Sequence, residues 1–176
     1  LTMPCTMASY RRKYFWVKYY FLLLSLLFIR CQKENNPASA TLPEKIIMDV
    51  AYGTDAIQKM DVYQPSGRNS ATKVIILIHP GGWNTGDKSD FTSYVDTLKR
   101  RLPGYAILNI NYRLSTGSAN LFPTQENDVK AAVDFTSSKT GEYNISDKFV
   151  LIGASAGAHL SMLQAYKYPT PKIKAV

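Results

Sequence analysis

The chain of 176 residues predicts an α/β fold: a mostly parallel sheet with helices on both faces, of which this is the N-terminal part. Three observations predict it. Short apolar, β-branched runs recur between turn residues. Segments with helical spacing separate those runs. Two glycine-rich motifs follow two of the runs directly.

The elements follow in order. From Glu44 the pattern becomes globular, and Ile46–Ala51 and Gln58–Tyr63 read as two strands around the turn Gly53-Thr54-Asp55. Val74–Ile78 (VIILI) is a continuous apolar run, which suits a strand buried on both faces of a parallel sheet. Phe91, Tyr94, Val95, Leu98 and Leu102 then fall on one helical face, with Ser89 or Asp90 as the cap and Pro103-Gly104 as the stop. Tyr105–Ile110 is a second buried strand. Residues 124–139 form a helix with Val129, Ala132, Val133 and Thr136 on one side, Glu126 and Lys130 paired one turn apart, and Gly141 ending it. Phe149–Ile152 is a third buried strand, Ala156–Lys167 a third helix, and Ile173–Val176 opens a fourth strand. Alternation of this kind means right-handed crossovers and a parallel sheet, with the two leading strands as an antiparallel edge.

Upstream of residue 44 the composition differs. Residues 1–31 hold five basic residues (Arg11, Arg12, Lys13, Lys18, Arg30) and no acid. The net charge of +8 therefore belongs largely to this segment; residues 32–176 carry only +3. No basic stripe with interleaved aromatics is present, so a nucleic-acid partner is not supported. The apolar run Tyr19–Ile29 is too short to span a bilayer and suits the h-region of a secretory signal. Cys31 follows it at once, and residues 32–43 are a polar linker with two prolines. The arrangement resembles a bacterial lipoprotein signal, which implies export, a lipid on Cys31 and membrane anchoring. The rival reading is an uncleaved anchor or a poorly cut signal, with Cys31 an incidental thiol, and a periplasmic or extracellular protein is the other location. Arg30 departs from that pattern, which has a small residue before the cysteine. Cys5 and Cys31 are the only cysteines, so residues 32–176 hold no disulfide and no thiolate metal site. No metal or organic cofactor is expected.

Two motifs carry chemistry. Gly153-Ala154-Ser155-Ala156-Gly157 is a G-x-S-x-G sequence, which a chain this long shows by chance about once in twenty. Its placement makes it specific: it follows the strand FVLI and opens a helix, as a nucleophile elbow requires. Ser155 is thus the candidate nucleophile. His79-Pro80-Gly81-Gly82-Trp83 follows VIILI at the same edge of the sheet. Pro80 has no N–H, so the Gly81 and Gly82 amides, with the Ala156 amide after the serine, are the candidate oxyanion donors. Each such donor is worth ~3–4 kcal/mol in a working serine hydrolase. Either motif alone has a plain reading, a glycine-rich βα turn or a type II turn; together, on the expected strands, they point to acyl transfer. Trp83 can line an acyl pocket or serve as core, and Tyr112 and Arg113 can brace the site or fill the interface beneath it. A phosphate-binding loop is disfavoured, because no Gly-Lys-Ser/Thr follows the glycines.

The stretches IHPGGWNTGDK, NYRL, FPTQENDVKAAVDF and GASAGAHL, spread over about residues 44 to 176, resemble the esterase/lipase branch of the α/β-hydrolases. They look nearest to bacterial acetylxylan/feruloyl-type esterases and to kynurenine formamidases. In that branch the first motif is usually H-G-G-G-W, and Pro80 stands in place of its first glycine. The resemblance implies that His79 braces the oxyanion loop and that the substrate is a small or carbohydrate-linked ester. It also implies a triad in the chain order serine, acid, histidine.

That order leaves a gap. After Ser155 come 21 residues with no acid and only His159, one turn into the same helix. Asp87, Asp90 and Asp128 lie upstream, and Asp128 reads as structural. The chain closes on the start of a strand, so the domain (residues 44–176) is expected to be incomplete and inactive as it stands, with the acid and base supplied by later sequence. An arylformamidase or peptidase of the same fold, and a non-catalytic binding domain, are the rival readings.

Overall fold

The computed structural model describes residues 41–170 and 172–176. The segment expected to be a signal, Cys31 and most of the expected linker lie outside them. Among the described residues no helix is long and apolar enough to cross a membrane.

Six strands form one sheet in the order β1-β2-β4-β3-β5-β6: β1 Lys45–Ala51, β2 Lys59–Gln64, β3 Val74–Ile78, β4 Ala106–Ile110, β5 Phe149–Gly153 and β6 Ile173–Ala175. β1 and β2 are antiparallel to their neighbours, and β4, β3, β5 and β6 run parallel, as expected. Three helices join the parallel strands: α1 Thr92–Arg101, α2 Thr124–Tyr143 and α3 Ala156–Lys167. A strand sends alternate side chains to opposite faces. Val74, Ile76 and Ile78 therefore meet Val129, Val133 and Leu160 of α2 and α3, while Ile75 and Leu77 meet Phe91 and Val95 at α1. That two-sided burial is why β3 shows no polar alternation in sequence.

Four local expectations need correction. The cap before α1 is Asp87, whose carboxylate accepts the Ser89 N–H and starts a 3₁₀ turn over Lys88–Phe91. Tyr94 is exposed, since the face that packs is narrower than the periodicity implied and is carried by Phe91 and Val95. Helix α2 runs through Gly141 to Tyr143 and stops where Asn144 turns left-handed at φ 53°. Glu126 does not pair with Lys130. Lys130 binds Asp134, and Glu126, almost fully buried, takes Lys167 at 2.7 Å and the Tyr168 hydroxyl at 2.5 Å. A buried carboxylate needs close partners, and α3 brings them nearer than the exposed side of its own helix does.

Register sets the site. Ile78 of β3 lies level with Gly153 of β5 and with Ile110 of β4. Residues 79, 111 and 154 therefore leave the sheet side by side at one edge.

Candidate active site

Ser155 is the second of the two residues between β5 and α3, where the chain must reverse. Its backbone sits at φ 51°, ψ −116°, a region that side-chain-bearing residues rarely adopt and that costs of order 1–3 kcal/mol. The serine is exposed at the sheet edge. The close passage of α3 over the sheet depends on two glycines. A Cβ on Gly153 would lie 2.2 Å from the Gly157 carbonyl carbon, and one on Gly157 would lie 2.0 Å from the Ile78 carbonyl oxygen. Ala156 is the first residue of α3, so its N–H has no carbonyl one turn before it to bond.

Across from the elbow, residues 81 to 83 all carry positive φ: Gly81 119°, Gly82 57° and Trp83 66°. The turn is closed by the Gly81 carbonyl, which accepts from the Thr85 N–H at 2.9 Å, the Asn84 N–H at 3.2 Å and the Thr85 hydroxyl at 2.9 Å. With that carbonyl turned inward, the Gly81 and Gly82 amides have no acceptor among the described residues, and neither does the Ala156 amide.

His79 lies beneath this loop, fully buried, its ring stacked on Tyr112 at 4.1 Å between centroids and 8° between planes. Its Nδ1 is 2.7 Å from the Pro80 carbonyl, which can only accept, so Nδ1 carries the proton and Nε2 is left buried with no partner among the described residues. The Tyr112 hydroxyl donates back to the His79 carbonyl at 3.1 Å. Burial holds the His79 pKa below its ordinary value, with the Pro80 bond and Asp87 and Asp90 acting weakly the other way. The native ring is therefore neutral, while the unfolded chain takes up a proton near pH ~6.5. Stability should be full above that pH and fall as pH drops below it. Asp87 and Glu126 are held below the usual carboxylate range, by hydrogen bonds to Ser89 and Asn111 and to Lys167 and Tyr168 that outweigh burial. Their contribution is lost only at lower pH. Urea midpoints at pH 7.5 and 5.0 are expected to fall with acidity in the parent and much less in His79→Asn; a flat parent would defeat the assignment.

One shell further out, Asp128 is fully buried and receives the Arg113 N–H at 2.8 Å, the Arg113 guanidinium at 2.6 Å and the Gln58 amide at 2.7 Å. The Tyr52 hydroxyl donates to the Asn111 carbonyl. These bonds fix residues 111–113, and the His79 ring rests on Tyr112 among them.

Beside the glycine turn a cleft of about 320 Å³ opens, lined by Gly82, Trp83, Phe122, Gln125 and His159 among others. Trp83 meets the His159 ring edge-on at 5.4 Å. No hydrogen bond joins either imidazole to the Ser155 hydroxyl among the described residues, and no cluster of His, Cys, Asp or Glu there is placed to hold a metal ion. Lys88, at the end of the stretch IHPGGWNTGDK, is not among the expected site residues, yet its side chain and main chain are bonded to Asp61, Asn109 and Asn111 beside the loop.

A doubly wound sheet with a serine elbow at the end of its central strands and a glycine turn on the neighbouring strand is the α/β-hydrolase arrangement. A family model described as BD-FAE matches residues 60–175, and the chain belongs to that family. It is 27% identical to Esterase LipC of Mycobacterium tuberculosis over 72% of this chain and 31% of that protein. It is 33% identical to the kynurenine formamidase avaC of Aspergillus versicolor over 56% of this chain and 39% of that protein. Among solved structures, a bifunctional GH43-CE protein of Bacteroides eggerthii superposes with a TM-score of 0.59 at 32% identity, covering 68% of this chain and 17% of that one. The chain thus spans between about a third and two fifths of the length of these curated relatives.

Proposed function

We propose that the protein is a serine carboxylic-ester hydrolase working through an acyl-enzyme. The observation that carries this is the backbone of Ser155, held at positive φ between β5 and α3 and exposed at the same edge as the Gly81-Gly82 turn. Ser155 Oγ attacks the acyl carbon and gives its proton to a histidine. The carbonyl electron pair moves onto oxygen, which the Gly81, Gly82 and Ala156 N–H groups receive. The alcohol then leaves with the proton, and water repeats the sequence to release the acid. His79 cannot be that base, because its free nitrogen is buried. The base and its carboxylate are assigned to sequence that follows β6 in the full-length protein. The support is the fold's chain order and the minor share of each relative that this chain spans. Residues 1–176 alone then have no turnover. Trp83 and Phe122 form the walls of an acyl or alcohol pocket suited to a small or carbohydrate-linked ester.

A formamide is the second reading, favoured by the 33% identity to a kynurenine formamidase. Labelling the full-length protein with a fluorophosphonate and mapping the adduct should find it on Ser155. Side-by-side kcat/KM on p-nitrophenyl acetate, a formanilide and a peptide anilide should be highest on the ester. An adduct on another serine would remove the nucleophile from this reading, and a preference for the formanilide would move the protein to the second.

A further inference from the structure

A buried charge in an apolar sheet is costly unless something requires it. Asp61 of β2 is 4% exposed, and on the neighbouring β4 Asn109 is 1% exposed. Among the described residues all of their side-chain partners but one lie at Lys88, which follows the glycine turn. The Lys88 ammonium is 2.8 and 2.7 Å from the two Asp61 oxygens and 3.1 Å from Asp49, and its side chain is only 12% exposed. The remaining partner is the Asp49 N–H, which donates to Asp61 at 2.9 Å from a bulge in β1 where Asp49 has φ 56°. The main chain of Lys88 is gripped as well. Its N–H donates to the Asn111 side chain at 2.5 Å, and its carbonyl accepts from Asn109 at 2.6 Å. Asn111 also donates to Asp87 at 2.7 Å.

Between this clamp and the candidate oxyanion donors lies a short, tightly folded stretch. Gly86 passes so close to His79 that a Cβ there would lie 2.4 Å from the Pro80 oxygen and 2.7 Å from the His79 ring nitrogen. Thr85 is bonded to Gly81 through both its amide and its hydroxyl. The loop from residue 79 to residue 88 is thus seated on Tyr112 at one end and pinned to β1, β2 and β4 at the other, with little slack between.

We propose that Lys88 is a positioning residue for the Gly81 and Gly82 amides: its ammonium, locked on Asp61 and Asp49, holds the far end of the loop and so the direction of those two N–H groups. This rests on the hydrolase reading above. Because a donor displaced by about 1 Å costs about a hundredfold in rate, loss of the tether should appear in kcat and leave KM little changed.

The test uses the full-length protein with Lys88→Met, Lys88→Arg and Asp61→Asn, and Lys130→Met as a surface control. On p-nitrophenyl acetate, Lys88→Met should lose about a hundredfold in kcat, Lys88→Arg should recover most of it, and Lys130→Met should match the parent. Affinity for a trifluoromethyl ketone, whose adduct places an oxyanion in the same hole, should fall in step with kcat. A Lys88→Met protein that is merely less stable, with parental kcat well below its melting temperature, would overturn the proposal; so would a rise in KM alone. Amide exchange gives a readout that needs no turnover. Residues 79–88 should exchange faster in Lys88→Met while α1 does not, and unchanged exchange would overturn the tether even if Ser155 proved not to be the nucleophile. Absence of activity in the parent would instead count against the hydrolase reading.

Discussion

Ser155→Ala in the full-length protein is expected to lower kcat by about 10⁶, the loss seen when a serine that acts as one unit with its base is removed. On the proposed mechanism the substitution deletes the atom that forms the acyl bond and leaves the Gly81, Gly82 and Ala156 amides in place. A residual acceleration from those donors and from substrate binding should therefore remain. Stability should hardly move, because residue 155 is exposed and alanine is as strained as serine at φ 51°. Ser155→Gly separates the two terms. It is equally inactive, but glycine adopts positive φ freely, so the strain of ~1–3 kcal/mol is relieved against an unfolded-state entropy cost of ~0.5–1 kcal/mol. A variant that is dead yet more stable by about 1 kcal/mol is the expected mark of a residue whose conformation is held for chemistry. The measurements are steady-state turnover of p-nitrophenyl acetate and urea midpoints of all three proteins. Turnover by Ser155→Ala within tenfold of the parent would mean that another group is the nucleophile.

What the sequence disclosed were features whose cause is local. VIILI announces a strand covered on both faces, and both faces are covered. FVLI followed by GASAG announces an elbow because the strand, the serine and the helix are adjacent in the chain. The HPGG turn was equally legible, since Pro80 removes one donor and the two glycines permit the positive φ that follows. Tertiary causes were not legible. Glu126 had a lysine one turn away on its own helix, yet it pairs with Lys167, which only the crossing of α2 and α3 brings near. Gly141 looked like a helix stop, but Tyr143 and Ile145 are buried just beyond it and their packing carries the helix over it. Lys88 and Asp61 are 27 residues apart, and their pairing depends on the bulge in β1 and the register of β2 against β4. An aspartate in the apolar alternation of β2 and an asparagine in YAILNI were the available signals, because buried polar groups in such runs demand partners.

The largest effect on stability is expected at Gly157, and local propensity predicts the wrong sign for it. Alanine is the better helix former by about 1 kcal/mol, and Gly157 is the second residue of α3, so propensity alone favours Gly157→Ala. The added methyl, however, would lie 2.0 Å from the Ile78 carbonyl oxygen and 2.7 Å from that of His79. Those atoms are backbone at the end of β3, which is bonded on one side to β4 and on the other to β5. A flexible side chain can swing aside, but a strand held on both edges cannot, so α3 must lift away. Overpacking of a tight contact costs ~1–3 kcal/mol and sometimes more. With an immobile partner the upper figure applies, and Gly157→Ala should destabilise by about 3 kcal/mol. Lifting α3 also moves the Ala156 amide and Ser155, so activity should fall with stability. Gly141→Ala supplies the contrast: it too lies within a helix, and among the described residues nothing beyond its chain neighbours and its own helix backbone is within 4 Å of the added Cβ. There propensity is unopposed, and a gain of about 0.5–1 kcal/mol is expected. Chemical denaturation of both variants should thus give shifts of opposite sign for the same substitution. Two shifts of the same sign would mean that helix propensity, rather than the approach of α3 to β3, governs residue 157.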